Sequence, residues 1–600
     1  MTTSDIRTPH ERAAQSPSAQ FPSAAKPLDE AYRRASLERL AAEHLDILVV
    51  GGGVVGAGAA LDAASRGLRV GLVEARDFAA GTSSRSSKLI HGGLRYLEML
   101  EFGLVAQALA ERGLLLERIA PHLVRPVPFL YPLHHRGWER LYAGTGVALY
   151  DAMATVSRRR GGIPWHRHVT RRRIAAIAPG LDPGRLAGGL VYYDAQVDDA
   201  RYTMTLARTA ASLGAAVATG ARVVSLTTEG RSVTGATVVD EADGTRFDIR
   251  ASCVLNATGV WAAELESLGL TSPGLNIRAS KGVHLVVPRD RFRSEVGVIM
   301  RTEKSVLFVI PWNQHWLIGT TDSDWDYDKS HPAASGPDID YLLAHVNQAL
   351  RVPLTRADVV GVYVGLRPLV EGGDSPASTA KVSREHAIVH DTAGLVSVAG
   401  GKYTTYRVMA LDAVDAAVAD LDRAPVPPSC TDRLPLVGAD GYVALRNQIP
   451  QLAASYSLEP DTVDRLLGRY GALITEVLAA TVTDPTLREP LAAAPGYLRA
   501  EAVYAASHEG ARHLDDVLTR RTRISIEQPD RGLSAAAEVA DLMGVVLGWT
   551  PQRRESELAA YRVRVDAELK SQLAISDDSA NAARNPSWRR PARPPADAMS

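Results

Sequence analysis

A glycine-rich turn between two apolar runs constrains the fold of this 600-residue chain more than any other feature. Residues 45–50 form a short apolar run that is typical of a buried parallel strand. Gly51, Gly53 and Gly56 follow it directly in the spacing G-x-G-x-x-G, and an Ala-rich helical stretch comes next. The following apolar run ends at Glu74, eighteen residues after Gly56. Together these segments predict a βαβ unit that binds a dinucleotide.

Each part of this unit has a physical task. Gly51 permits the tight turn, Gly53 lets the backbone approach a pyrophosphate, and Gly56 lets the helix pack closely on the strand. The N-terminus of the helix offers free N–H groups and the positive end of its dipole to the phosphates. Glu74 is placed to accept hydrogen bonds from a ribose hydroxyl. This motif alone does not distinguish NAD from FAD.

Three later stretches favour FAD. Residues 81–96 are rich in hydroxyl groups and glycine and lack a period, which suits a loop around a large polar cofactor. A buried strand that ends at residues 257–259 predicts a second backbone approach to the dinucleotide. Another strand leads into Gly400, Gly401 and Lys402, where a helix N-terminus and a positive charge would face the flavin O2 and N1. The residues predicted to contact the cofactor are Gly51, Gly53, Val54, Val55, Gly56, Glu74, Thr82, Ser83, Ser87, Lys88, Leu89, His91, Val223, Ala257, Thr258, Gly259, Gly401, Lys402, Tyr403 and Thr404.

The composition bounds the class of protein. A chain of this length exceeds one hydrophobic core, so two or three domains are expected. The formal net charge of −1 argues against nucleic-acid binding. Two isolated cysteines, Cys253 and Cys430, make neither a disulfide framework nor a metal cluster and indicate a reducing, cytoplasmic compartment. No apolar run is long enough to predict a membrane-spanning helix, and no signal peptide is recognisable.

The pattern along the chain predicts an α/β protein with four regions. Residues 1–40 are expected to be a disordered leader because they are rich in Ser, Pro, Ala and Thr. Residues 41–429 are expected to hold the dinucleotide-binding domain interleaved with a substrate domain, whose parts lie at about 120–200 and 270–380. Helical spacing dominates residues 430–570, and a Pro/Arg-rich, disordered tail is expected at 571–600.

Several stretches resemble the FAD-dependent glycerol-3-phosphate dehydrogenases, and the long SSKLIHGGLRYLE string is highly specific. These stretches are residues 82–84, 87–98, 281–284, 318–322, 365–369 and 400–407, together with Glu501, Tyr504, Glu509, Asp515, Asp516 and the run 520–523. The resemblance covers about residues 45–545. It implies a Rossmann-type FAD-binding domain interleaved with an antiparallel β-sheet substrate domain like that of D-amino-acid oxidase, plus an all-α C-terminal cap.

The resemblance also implies a reaction. Members of this family oxidise sn-glycerol 3-phosphate to dihydroxyacetone phosphate in glycerol catabolism, pass the electrons to a quinone, and usually sit peripherally on the membrane surface. Residues 158–160 and 171–173 are all arginine and flank Trp165, which suits an anionic lipid surface as well as it suits a solvated basic face. The sequence leaves the oligomeric state open, with a homodimer as one option.

A phosphate dianion in a water-poor site needs fixed cations, and arginine binds two of its oxygens at once. Arg95 and Arg367 lie in motifs that match the family's substrate site, so both are predicted to bind the substrate, with Tyr96 and Thr405 as hydrogen-bond partners. Oxidation at C2 also needs a base, and His284 is predicted for that role because an imidazole titrates near neutrality. Arg367 or Lys402 could handle the proton instead.

Other functions remain open at this point. An FAD-dependent amine or amino-acid oxidase would share the fold, but two arginines suited to a phosphate argue against it. A glycerol-3-phosphate oxidase that uses oxygen is disfavoured because no large insertion of the oxidase kind is visible. An NAD-dependent dehydrogenase lacks the later FAD-type stretches, and a flavin-bearing scaffold would not need so many ionisable groups near the flavin.

Overall fold

The computed structural model describes residues 25–93, 97, 101–135, 137–156, 162–269, 274–302, 306–370, 385–422 and 425–587. Within them the strands are β1 (His44–Val50), β2 (Val70–Glu74), β3 (Leu89–Ile90), β4 (Val124–Leu133), β5 (Arg167–Val169), β6 (Gly188–Val197), β7 (Ala216–Thr219), β8 (Ala221–Glu229), β9 (Ser232–Asp240), β10 (Arg246–Asn256), β11 (Ile277–Pro288), β12 (Gly297–Arg301), β13 (Val306–Trp312), β14 (His315–Gly319), β15 (Ser323–Asp324), β16 (Gly361–Val370), β17 (His386–Thr392), β18 (Leu395–Gly400), β19 (Pro490–Leu491) and β20 (Ala494–Leu498).

The α-helices in the same residues are α1 (Glu30–Ala42), α2 (Val54–Ser65), α3 (Phe102–Leu114), α4 (Trp138–Val156), α5 (Arg171–Ile177), α6 (Asp199–Ser212), α7 (Ala262–Glu266), α8 (Gly336–Asn347), α9 (Tyr406–Val418), α10 (Tyr442–Arg446), α11 (Ile449–Tyr456), α12 (Pro460–Tyr470), α13 (Ile474–Thr483), α14 (Arg499–His508), α15 (Leu514–Asp516), α16 (Ile524–Glu527), α17 (Leu533–Leu547), α18 (Pro551–Ser571) and α19 (Asp577–Arg584). In this part of the chain, no helix has both the length and the hydropathy needed to cross a bilayer.

The first sheet has the order β17-β18-β10-β1-β2-β7, and a β8–β9 hairpin extends it from β10. Strands β18, β10, β1, β2 and β7 run parallel. The central strand β1 is buried at every residue after His44, which explains why it appears in the sequence as a continuous apolar run. Ile47, Val49 and Leu72 belong to the core that α2, α6 and α9 cover, and Leu48 belongs to the core on the α1 side.

The second sheet has the order β15-β11-β14-β13-β12-β4-β6-β3, with β16 paired to β11 and β5 paired to β6. All its pairs are antiparallel except β12 with β4, which meet in parallel at Gly297 and Phe129. The strands of the two sheets alternate along the chain, and helices follow from α10 onward, with one short ladder of β19 and β20. The predicted α/β class, with interleaved sheets and a helical C-terminal part, is confirmed.

The predicted disorder at the two ends is wrong for the residues that the structure describes there. The side chain of Asp29 caps α1 by accepting from the Tyr32 N–H, and Arg33 forms a buried ion pair with Asp240. Near the other end, α19 folds and Asn585 donates to the carbonyl of His331. Composition does not predict that these segments are ordered, because each is held in place by a few contacts to residues that are distant in the sequence.

Candidate active site

A cavity of about 740 Å³ lies at the carboxyl ends of the parallel strands. Val50, Glu74, Ala257 and Gly400, which end β1, β2, β10 and β18 or directly follow them, all line it. Residues of β11 and β16 in the second sheet form the opposite wall. In an open α/β sheet this edge is where ligands bind, and the volume lies within the range of about 300–1,000 Å³ that is usual for cofactor sites.

The glycine turn leaves room for a dinucleotide in a way that no other residue type would. Gly51 has φ +110°, and a Cβ placed there would lie 2.7 Å from the Ala257 carbonyl oxygen. A Cβ at Gly56 would lie 1.9 Å from the carbonyl oxygen of Gly51, so α2 and the turn touch through bare backbone. Val54 begins α2, and its N–H donates to Ser83 Oγ at 2.9 Å. These contacts fit the binding of a pyrophosphate at the helix N-terminus.

Glu74 stands at the end of β2 and lines the cavity. Its Oε2 accepts from the Gly52 N–H at 2.7 Å, and its Oε1 accepts from the Arg76 N–H at 2.8 Å. Burial raises the pKa of Glu74, and the Arg76 charge and these backbone N–H groups oppose that rise. The carboxylate is therefore fixed in position, with lone pairs remaining for a ribose hydroxyl.

All the predicted cofactor residues line this cavity except Gly56 and Lys88. Gly56 instead makes the close helix-to-turn contact described above. Lys88 does not line the cavity, because its side chain is fully buried elsewhere. Its Nζ donates to Asp199 Oδ1 at 2.8 Å and to the Ser84 carbonyl oxygen at 3.1 Å.

Thr405, which was predicted to hydrogen-bond the substrate, lies outside the cavity lining as well. Thr405 is buried and donates its hydroxyl to the Lys402 carbonyl oxygen at 3.3 Å. It closes the short 3₁₀ turn that leads into α9, while Lys402, Tyr403 and Thr404 line the cavity before it. The predicted residues Arg95 and Tyr96, and the basic run 158–160, lie outside the described residues.

His284 lies in β11 and lines the same cavity. Its Nε2 is 2.8 Å from Ser87 Oγ, and its ring stacks on Tyr363 with centroids 4.7 Å apart and planes 4° from parallel. Burial holds the pKa of His284 well below its ordinary value, and the positive charges of Arg367 and Lys88 lower it further. The imidazole is therefore neutral at neutral pH.

Arg367 reaches the cavity from β16, which pairs with β11 so that Arg367 lies opposite Ser280 and Tyr363 opposite His284. Its guanidinium donates to Ser280 Oγ, to Thr320 Oγ1 and to the Thr321 carbonyl oxygen, each at 3.3 Å. Its Nη1 also lies 3.6 Å from Asp322 Oδ1, so these contacts fix the guanidinium in the wall of the cavity as a cation whose planar shape suits an anion. The pairing of the two strands thus brings together His284 and Arg367, two of the three predicted catalytic residues, and the third, Lys402, lines the same cavity.

Several lining residues were missed from the sequence. Arg76 lies over the ring of Trp261, 5.5 Å from its centroid, and both line the cavity. Arg76 follows Glu74 by two positions and Trp261 follows Gly259 by two, so proximity to the predicted motifs could have revealed them. Arg222 and Glu241 reach the cavity from the β8–β9 hairpin, whose packing no local signal announces.

Comparison with known proteins agrees with this geometry. A family model described as "FAD dependent oxidoreductase" matches residues 46–407, and one described as "C-terminal domain of alpha-glycerophosphate oxidase" matches residues 429–554. The chain is 54% identical to glycerol-3-phosphate dehydrogenase 2 of Mycobacterium tuberculosis, with 94% of each chain covered. It is 36% identical to the human mitochondrial glycerol-3-phosphate dehydrogenase, covering 86% of this chain and 73% of the human one.

A solved structure is similar as well. The glycerol-3-phosphate dehydrogenase from Bacillus halodurans, complexed with FAD, matches with a TM-score of 0.73 at 28% identity, covering 90% of this chain and 98% of that one. The glycine cradle, the fixed Glu74 and the volume of the cavity suit the same cofactor. The resemblance noted in the motifs is confirmed, and the chain belongs to the FAD-dependent glycerol-3-phosphate dehydrogenases.

Proposed function

We propose that the protein oxidises sn-glycerol 3-phosphate to dihydroxyacetone phosphate and delivers the electrons to a quinone. One observation carries the proposal: a neutral, buried His284 and the Arg367 guanidinium share a cavity with the dinucleotide cradle. A base and a fixed cation are what the oxidation of an anionic alcohol requires. The names of the relatives at 54% and 36% identity support this substrate.

The residues divide the work as follows. FAD, when bound, supplies the acceptor for a hydride from C2. His284 would take the proton of the C2 hydroxyl, and its ring is held for this by Ser87 on one atom and Tyr363 on one face. Arg367 would hold the substrate anion next to that base, with Arg95 and Tyr96 as further proposed partners. Lys402 would add positive charge at the turn that ends β18.

The function is tested by an anaerobic absorbance spectrum of the purified protein before and after addition of sn-glycerol 3-phosphate. We expect the oxidised-flavin band to bleach with this compound and to persist with glycerol and with amino acids, which lack the phosphate that Arg367 would bind. Rapid-mixing reoxidation by a soluble quinone analogue, compared with dissolved oxygen, then tests the acceptor. A flavin band that only an amino acid bleaches, or faster reoxidation by oxygen, would favour the alternative oxidases.

We also propose that helix α4 binds the inner face of the cytoplasmic membrane. Trp138, Leu141 and Tyr142 on α4 are 66%, 73% and 53% exposed. The segment with the half-exposed Trp165 joins this surface, because the N–H of the next residue, His166, donates to the side chain of Asp151 in α4. Arginines at 140, 167 and 171–173 are also exposed. Exposed apolar side chains with exposed arginines in the same segments suit an anionic lipid surface.

Co-sedimentation with liposomes tests this proposal. We expect salt-sensitive binding to vesicles that contain anionic lipid, and about tenfold weaker binding after Leu141→Ser, because one buried leucine contributes about 1.5 kcal/mol or more. Val545→Ser is the matched control, since Val545 is 86% exposed on α17 and should leave binding unchanged. Equal effects of the two substitutions would rule out α4 as the membrane contact.

A further inference from the structure

A second cavity, of about 660 Å³, lies between the first sheet and the C-terminal helices. Its walls include residues of α1, the segment after β2 and the β8–β9 hairpin on one side, and residues 512–526 with parts of α17 and α18 on the other. Arg76 lines both cavities, so the two adjoin at the end of β2. The second cavity is nearly as large as the one that fits FAD.

The second cavity is rich in arginine, and most of these arginines already have carboxylate partners. The pairs are Arg512 with Glu30, Arg520 with Asp515 and Asp516, Arg523 with Asp198 and Asp199, Arg553 with Glu557, and Arg564 with Asp515. Three of the acidic residues in the lining, Glu30, Asp515 and Asp516, therefore already pair with these arginines. The fourth, Glu241, pairs with Arg222.

Two arginines of the lining, Arg76 and Arg85, are not among these ion pairs. Among the described residues neither forms an ion pair with a carboxylate, and both guanidinium groups donate to one carbonyl oxygen, that of Ser330, at 3.3 and 3.5 Å. Burial lowers the pKa of Arg85 to about 9, and the positive charges of Arg76 and three more distant arginines, at 584, 564 and 520, lower it further. The charge of Glu74 partly compensates Arg76, whereas the largest charge effects on Arg85 come from other arginines, so two partly buried cations converge here on a single carbonyl dipole.

The rest of the lining suits a flat ring. Trp549, Tyr363 and His331 contribute aromatic side chains, and Ile526 and Leu547 contribute apolar surface. Burial lowers the pKa of His331 to about 2, so its imidazole is neutral and adds no further charge at neutral pH. Together with the arginines, these aromatic and apolar side chains suit an organic anion that carries a ring.

We propose that this second cavity binds a phosphate ester of nucleotide size, with Arg76 and Arg85 as its phosphate ligands. Bidentate guanidinium groups are the preferred partners of phosphate, and two of them would offset most of the negative charge of a diphosphate. The ligand would also touch Tyr363, whose ring stacks on His284 in the first cavity. Binding in one cavity is thereby able to affect the base in the other; this coupling, unlike the binding itself, rests on the proposed function.

Calorimetric titration of the FAD-loaded, full-length protein with adenosine diphosphate, and separately with inorganic pyrophosphate, tests the proposal. We expect saturable binding of adenosine diphosphate and at least about tenfold weaker binding after Arg85→Gln, because one charge-assisted bidentate contact is lost. The affinity of Arg85→Lys for adenosine diphosphate should lie between those of the unaltered protein and Arg85→Gln, since lysine keeps the positive charge but lacks the planar guanidinium. Arg554→Gln is the matched control: it removes one positive charge from α18 outside the cavity and should bind as the unaltered protein does.

Two further measurements distinguish binding in the second cavity from binding in the first. Flavin fluorescence is followed during each titration, because release of flavin would place adenosine diphosphate in the first cavity and overturn the proposal. Arg367→Gln should leave the affinity for adenosine diphosphate unchanged. Absence of binding, or equal affinity in the unaltered, Arg85→Gln and Arg85→Lys proteins, would equally overturn it. None of these outcomes depends on turnover of glycerol 3-phosphate. The binding measurements would therefore remain valid if the protein failed to oxidise that compound.

Discussion

Replacing His284 by asparagine is expected to lower kcat for glycerol 3-phosphate by about 10²–10⁴-fold, the usual contribution of a general base, while FAD stays bound. Asparagine retains the approximate size and polarity of the ring but cannot take up a proton. The measurement is the rate of flavin reduction in single-turnover mixing, with the flavin content fixed by absorbance. His122→Asn is a matched control, because burial also lowers the pKa of His122, to about 3, and this residue lies outside the cavity.

The pH dependence of kcat/KM is an independent test of the role of His284. Because burial and nearby cations depress the pKa of His284 well below about 6.5, the imidazole stays neutral throughout the neutral range. We expect kcat/KM to be flat there and to fall only when the pH drops through the depressed pKa. An acidic limb centred at or above the ordinary value, or an unchanged rate in His284→Asn, would contradict the assignment of the base.

Replacing Asp199 by alanine is expected to destabilise the fold by about 3–5 kcal/mol, the usual cost of breaking a buried ion pair. Asp199 joins the dinucleotide-binding part to the C-terminal helices: it bonds to Lys88 Nζ and Arg523 Nη2, and its Oδ2 accepts from both the N–H and the hydroxyl of Ser86. All three charged side chains are almost inaccessible, with exposures of 0% for Asp199 and Lys88 and 3% for Arg523.

The loss of folding stability in Asp199→Ala should lie near the lower end of that range. Burial and the Arg523 charge lower the pKa of Lys88 to about 8, so Lys88 can release its proton once the carboxylate is gone, and Arg523 keeps Asp198. The denaturation midpoint in urea, followed by circular dichroism, measures the effect. Asp324→Ala breaks the exposed pair with Arg278 and should cost no more than about 1 kcal/mol. Similar losses in the two variants would show that the Asp199 cluster does not hold the domains together.

The parts of the fold that could be predicted are those whose signals are local. The strand, the three glycines and Glu74 lie within thirty residues, so their spacing alone predicts the cradle. The buried position of the Lys88 side chain could not be predicted, because it depends on Asp199, which lies 111 positions further along the chain. The helix α1 was missed for a similar reason, since Arg33 is anchored by Asp240, 207 positions away. Long-range ion pairs of this kind leave no trace in composition or period.

The interleaving of the two sheets has a consequence for synthesis of the protein. The central strand β1 emerges early from the ribosome, but its parallel neighbour β10 and the next strand β18 follow only after residues 246 and 395. The cofactor cavity also needs Lys402 and Thr404, so no complete binding site exists until two thirds of the chain has been made. Until β10 has been made, the edge of the apolar strand β1 that pairs with it stays open, and such edges promote aggregation. Folding of this protein in the cell should therefore depend on chaperones and on a supply of FAD that reaches the chain late in translation.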